Sequence, residues 1–415
     1  MEKILSVLFI GALLISCNQK QASVENPQSE VESVKDSLTS ELNEIQSNGV
    51  INGFSVAIVN EEKVLYQHGF GFADISNNTR YSENTLQNIA SVSKTLIGIA
   101  LLKAQEMGKL NLDDPISKFL TFDVRNPNFP DQEITIRHLA THTSSITDGD
   151  IYGEKSYILK DPRDSIQFDS MKIPEDFNPP SDNTSMQIFL ESLLSEKGKW
   201  YSQEVFLNKP PGALFEYTNL GATLAALVLE SATEEKYSEF TKKHILEPLE
   251  MQSSGWYFDE IDFSKHTKLY ASKTEQIPFY SLITYPDGGL ITSINDLSKY
   301  LVELIRGYSG NGTLLTETSY SELYKLQLGD ENFEERDAES PYNDEYNFGV
   351  FIGFSAQDYV GHTGGDPGVS SFMFFNTKSK IGRILLINTD LTSEEGVQQF
   401  FSIWNKLEEY QQKLN

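Results

Sequence analysis

Apolar residues at Val34, Leu38, Leu42 and Ile45 recur at the spacing of one helix face, and Asn48-Gly49 closes that helix. Two strand-like runs follow, Phe54–Val59 and Lys63–Phe72, and Asn60-Glu61-Glu62 between them predicts a hairpin. The period then changes. Helical spacing predicts helices over Lys94–Met107, Gln187–Leu194, Ala222–Ser231 and Asp296–Ile305. Strand patterns return at Asn347–Phe354, Ser371–Phe375 and Gly382–Ile387, before a last helix from about Ser393. Strands at both ends with helices between them predict an α+β fold: an antiparallel sheet formed from both chain ends and flanked by helices, with an inserted, mainly helical lobe. Lys172–Ser185, with three prolines, and Gly329–Asn347, dense in Asp and Glu, read as surface loops. No internal repeat is visible.

The first residues follow a different pattern. An apolar stretch from Ile4 to Ile15 is too short to span a bilayer of about 30 Å as a helix. It has the length of a signal-peptide core, which makes residues 1–16 an expected signal. Leu14-Ile15-Ser16-Cys17 resembles the lipobox of bacterial lipoproteins, in which the cysteine is lipidated. Cys17 would then anchor the protein to a bacterial membrane on its extracytoplasmic side, periplasmic or at the cell surface. Residues 17–34 are polar and read as a flexible tether, leaving 35–408 as one catalytic-sized domain.

Composition narrows the chemistry. The 415 residues carry 33 Lys+Arg against 60 Asp+Glu, a formal net charge of −27. Such a surface repels phosphates, so no nucleic-acid partner is expected. A single cysteine excludes a disulfide within the chain and a cysteine-based metal site.

Candidate catalysis begins at Ser91-Val92-Ser93-Lys94. At a helix start this spacing puts Ser91 and Lys94 one turn apart on one face. A serine hydroxyl needs an adjacent base to act as a nucleophile, and a lysine amine serves if its surroundings lower its pKa. Taken alone the motif is common. Two others follow in order: Tyr217-Thr218-Asn219 before a helix starting near Gly221, and His362-Thr363-Gly364-Gly365 between strand signals.

The order Ser-x-x-Lys, Tyr-x-Asn, His-x-Gly resembles the penicillin-recognising serine hydrolases, specifically the class C β-lactamase-like branch. Flanking segments are similar too: Ile134–Leu139, His142-Thr143-Ser144, Pro248–Met251 and Asp287-Gly288-Gly289-Leu290. The resemblance runs from about Val34 to about Trp404. It implies that Ser91 attacks an acyl carbonyl, with Lys94 and Tyr217 as a coupled proton-transfer pair. It further implies that His362 completes the catalytic set, and that Asn219, Thr363 and Gly364 border the substrate. The oxyanion hole would be the backbone N–H groups of Ser91 and Gly365. The expected substrate is a small acyl or peptide-like molecule, and no cofactor or metal is implied.

Departures from the family pattern refine the expectation. His362 stands where β-lactamases and D,D-peptidases usually carry a lysine. It is therefore similar to the esterase and D-aminopeptidase members. Ser145 replaces a common glycine, which is expected to shift that turn. The spacing of His138 and His142 matches a zinc helix, but Leu139 occupies the place of the usual glutamate, so a helix packed beside the cleft is the expected reading. The favoured function is an acyl-enzyme serine hydrolase on an ester or a D-amino-acid-type amide. A cell-wall D,D-peptidase, a true β-lactamase and a non-catalytic lipoprotein that binds peptidoglycan or a partner are the alternatives. The oligomeric state stays open.

Overall fold

The computed structural model describes residues 27–161, 174–334, 347–355 and 357–415. The signal and lipobox residues, Cys17 included, lie outside them, as do residues 172–173 and 335–346 of the two expected loops.

Helix α1 (Pro27–Asn48) leads into a hairpin of β1 (Gly53–Asn60) and β2 (Val64–Asp74), then a short β3 (Thr79–Arg80). Helices α2 (Lys94–Glu106), α3 (Ile136–Ala140), α4 (Met186–Leu194), α5 (Asn219–Thr233) and α6 (Ile294–Tyr308) form the inserted lobe. The chain then returns to the sheet through β4 (Asn347–Phe348), β5 (Gly353–Phe354), β6 (Tyr359–Asp366), β7 (Val369–Asn376) and β8 (Ile381–Ile387). It ends on α7 (Glu394–Leu414). The eight strands lie in the order β4-β5-β6-β7-β8-β1-β2-β3. The join between the chain ends is β1 against β8, antiparallel, with Phe54 opposite Ile387.

The hydrophobic pattern explains the layers. β1 is buried along almost its whole length. Phe54, Val56 and Ile58 point into one core with Leu38 and Leu42 of α1 and Ile403, Trp404 and Leu407 of α7. Ala57 and Val59 point into the other core, with α2, α5 and α6. A sheet covered on both faces has no polar face, so its strands read as continuous apolar runs.

Three boundaries differ from the sequence reading. The expected tether over 17–34 turns helical at Pro27, because a proline at the first position and Glu30 in the first turn suit a helix start without any apolar period. The domain runs past 408 to Leu414, since Tyr410 and Leu414 are buried. The run Asn347–Phe354 is two strands rather than one: the chain folds back on itself at 349–352, where Gly349 N–H donates to Ile352 O and Phe351 has a φ of 52°. Among the described residues no helix is long and apolar enough to cross a membrane.

Candidate active site

Ser91 sits in a tight helical turn, Ala90–Ser93, that runs directly into α2. Ala90, just before it, has a φ of 45°, a strained conformation for a residue with a Cβ and one often found at functional turns. α2 is buried on nearly all sides, which fixes the turn from beneath. Lys94, the first residue of α2, is completely buried. Its Nζ donates to Ser91 Oγ at 2.9 Å and to the carbonyl of Asp287 at 2.7 Å. It lies 5.2 Å from the centre of the Tyr217 ring.

Tyr217 precedes α5, whose N-cap is Thr218. One face of its ring stacks on His142 at 4.5 Å. His142 Nδ1 accepts from the Thr218 N–H, so the imidazole is neutral with its proton on Nε2. Burial, then the charge of Lys94, keeps its pKa well below the usual histidine value. Asn219 donates its side-chain amide to Asp148 Oδ2 at 2.8 Å. Asp148 also accepts from Thr218 Oγ1 and from the backbone N–H groups of Asn219 and Leu220.

The third motif is on β6. His362 is buried, and its Nδ1 lies 2.6 Å from the Thr363 carbonyl. A carbonyl only accepts, so Nδ1 carries the proton and Nε2 is a bare acceptor. Burial, helped by the charge on Lys94, pushes the imidazole down to about 3. Gly364 is required sterically: a Cβ there would lie 2.4 Å from the Ile89 carbonyl and 3.1 Å from the Ala90 Cβ. Gly365 is exposed and faces open space. β5 pairs with β6 only at Val360 and Gly361, so from His362 to Asp366 the described sheet leaves one edge of β6 open.

The structure thus brings Ser91, Lys94, Tyr217, His362 and Gly364 together; Asn219, Thr363 and Gly365 adjoin them along the chain, with the Asn219 amide bound to Asp148. The two zinc-spaced histidines are employed otherwise. His138 closes a capping box with Thr135 at the start of α3, and His142, with a φ of 54°, turns away beneath Tyr217. Ser145 stands in a turn position that suits glycine. It adopts the left-handed conformation itself (φ 67°), and its Oγ donates to Lys209 O at 2.8 Å and accepts from Asn126.

Several residues of the site receive no role from motif reading. Asp148 is one carboxylate among sixty acidic residues and precedes no motif at a telling distance. Asp287 is buried behind Lys94, and its Oδ2 accepts from Tyr152 and Thr223. Burial pushes its pKa up to about 6, against the pull of Lys94. Tyr157 and Asp366, bonded to each other at 2.7 Å, come from a short strand and from the end of β6.

A model of the family described as Beta-lactamase matches residues 36–407. Protein flp of Staphylococcus aureus (strain MW2) is 26% identical over 346 residues, which are 82% of this chain and 60% of that protein. The chain therefore spans about three fifths of the length of the curated relatives it matches. The structure of D-amino acid amidase from Ochrobactrum anthropi SV3 has a TM-score of 0.61 at 18% identity, covering 90% of this chain and 99% of its own. Beta-lactamase/D-alanine carboxypeptidase from Yersinia pestis has a TM-score of 0.65 at 17% identity, covering 93% and 99%. At these identities the structures show a shared fold.

Proposed function

The chain belongs to the beta-lactamase family of serine hydrolases, and from that premise we propose that it cleaves an ester or a D-amino-acid-type amide through an acyl-enzyme on Ser91. The observation that carries this reading is the buried Lys94 Nζ, held 2.9 Å from Ser91 Oγ by its second bond to the Asp287 carbonyl. Ser91 Oγ adds to the acyl carbonyl as its proton passes to the Lys94–Tyr217 pair. The N–H groups of Ser91 and Gly365 receive the developing oxyanion, each worth roughly 10²–10³ in rate. The pair then protonates the leaving alcohol or amine, and water releases the acyl group by the reverse sequence. Asn219, Thr363 and Gly364 border the acyl donor, which lies along the open edge of β6 as an added strand would.

His362 orders the substrates. A neutral, buried imidazole offers no fixed positive charge where a β-lactam or D-alanyl carboxylate would lie. This favours esters and amides without a carboxylate over β-lactams. The name of the D-amino acid amidase that shares the fold is consistent with that choice.

The test is a panel of p-nitrophenyl esters, D-alanyl peptides and nitrocefin, run with wild type and Ser91→Ala, together with fluorophosphonate labelling. Ester turnover should fall on the order of 10⁴-fold or more in Ser91→Ala. An unlabelled Ser91 would overturn the mechanism, and fast nitrocefin turnover would overturn the substrate order. The proposal includes a lipid anchor at Cys17, supported by the apolar run and lipobox before it. Loss of membrane association in Cys17→Ser is the expected result, and unchanged association counts against it.

A further inference from the structure

Alternate residues of a strand point the same way, so His362, Gly364 and Asp366 share one face of β6. That face abuts the nucleophile, as the close approach of Gly364 to Ile89 and Ala90 demonstrates. The point that a Gly288 Cβ would occupy lies 3.2 Å from Asp366 Oδ2 and 3.7 Å from the Ala90 carbonyl carbon, the atom bonded to the Ser91 nitrogen. The Asp366 carboxyl is therefore a neighbour of the nucleophile turn, one residue beyond Gly365.

Its bonding is half complete. Oδ1 accepts from the Tyr157 O–H at 2.7 Å. Tyr157 is itself wedged between Phe177 and Tyr280, each 5.5 Å away by ring centres, so the carboxyl is held in orientation. Oδ2 has no hydrogen-bond partner among the described residues and is not one of the sealed polar atoms. No described lysine or arginine pairs with it. Burial, with the charge of Asp287 adding to it, pushes the carboxyl up to about 7 against the pull of the Tyr157 hydrogen bond and of the Lys94 charge. A cation at Oδ2 would supply the missing partner.

We infer that Asp366, oriented by Tyr157, receives a free ammonium group of the acyl donor and so selects substrates with an unblocked amine close to the scissile carbonyl. The inference rests on the hydrolase reading above and names the substrate class of that same site. No bond is made or broken at Asp366. Its role is to hold the donor by a charged hydrogen bond.

The test compares kcat/KM for phenylalanine methyl ester and its N-acetyl derivative, in D and L forms, at pH 7. Wild type, Asp366→Asn and Tyr157→Phe are used, with thermal unfolding as the control for folding. The readout is the ratio of the two substrates within one preparation, so a general loss of activity cancels. Wild type should prefer the free amine of at least one enantiomer by about 10- to 100-fold, mainly through KM. Asp366→Asn should bring the ratio close to one, and Tyr157→Phe should leave it between the two.

A wild type without the preference overturns the inference, as does a preference that Asp366→Asn leaves intact. An equal fall in kcat/KM for both esters in Asp366→Asn, which leaves their ratio at the wild-type value, is that second outcome. If neither ester is cleaved and fluorophosphonate does not label Ser91, the hydrolase reading fails first and the inference falls with it.

Discussion

Asp148 commits both oxygens to the segment that carries Tyr217, accepting four hydrogen bonds from three consecutive residues. It holds the start of α5 as a capping side chain would, but from a distant loop. Asp148→Ala should lower stability by about 2–4 kcal/mol, because it removes a charged acceptor and strands partly buried donors. Activity should fall further than stability, read as a kcat loss at a temperature where the variant is fully folded. A variant that is destabilised but keeps wild-type kcat would show that Asp148 does not position the motif. Ser91, Lys94, Tyr217 and His362 stand out in the sequence through the order of three short motifs and the family that this order resembles. Asp148 does not, since nothing near it in the chain distinguishes it from other acids; Asp287 and Asp366 lie in or beside quoted segments that give neither a role. Their burial and partners exist only after folding.

At the scale of elements, the site is a contact between the Ser91 turn and β6. Two adjacent glycines of β6 answer differently to a methyl group. Gly364→Ala would force a Cβ to 2.4 Å from the Ile89 carbonyl and from Ser371 Oγ, a hydroxyl that itself bonds Ile89 O at 2.5 Å. Strand and turn must separate, so stability should drop by about 1–3 kcal/mol and turnover should be largely lost. Gly365→Ala places its Cβ in open space and should leave the unfolding midpoint unchanged. Thermal unfolding of the two variants side by side checks this, and equal destabilisation would mean that β6 does not meet the turn as described. The hairpin of β1 and β2, α2 and the last helix were readable from periodicity. The fold-back within 349–352 was not, because Phe351 adopts a left-handed φ that no residue-type rule assigns to phenylalanine. The start of α1 was missed for the opposite reason: its first turns contribute no apolar stripe and rely on helix propensity.

On the scale of the whole molecule, two carboxyls, Asp287 buried and Asp366 half-buried, link the site to stability. Asp287 and Asp366, pushed up to about 6 and about 7, both lie above the unfolded value of about 3.9. Folding therefore favours their protonated forms, and their contribution is fully present below pH 4 and lost as pH rises through 6 and 7. Asp366→Asn removes one ionisation, leaving Asp287, Lys94 and Asp390 as the charges around the site. The variant's unfolding midpoint should match wild type near pH 4 and exceed it above pH 7. A difference that shrinks as pH rises would contradict the assignment. The overall architecture was legible because the strand patterns sit at the two ends of the chain, although the burial of both sheet faces had to be seen.

That pairing of ends also sets a schedule. β1 is made early, yet one of its neighbours, β8, emerges more than three hundred residues later, and the pieces of the cleft are distributed from Ser91 to Asp366. Contacts so distant in sequence form late and slowly. During synthesis the Ser91 turn therefore has no β6 to face. The contact between the Ser91 turn and β6 exists only once the last strands are made, so a nascent or C-terminally truncated chain lacks it.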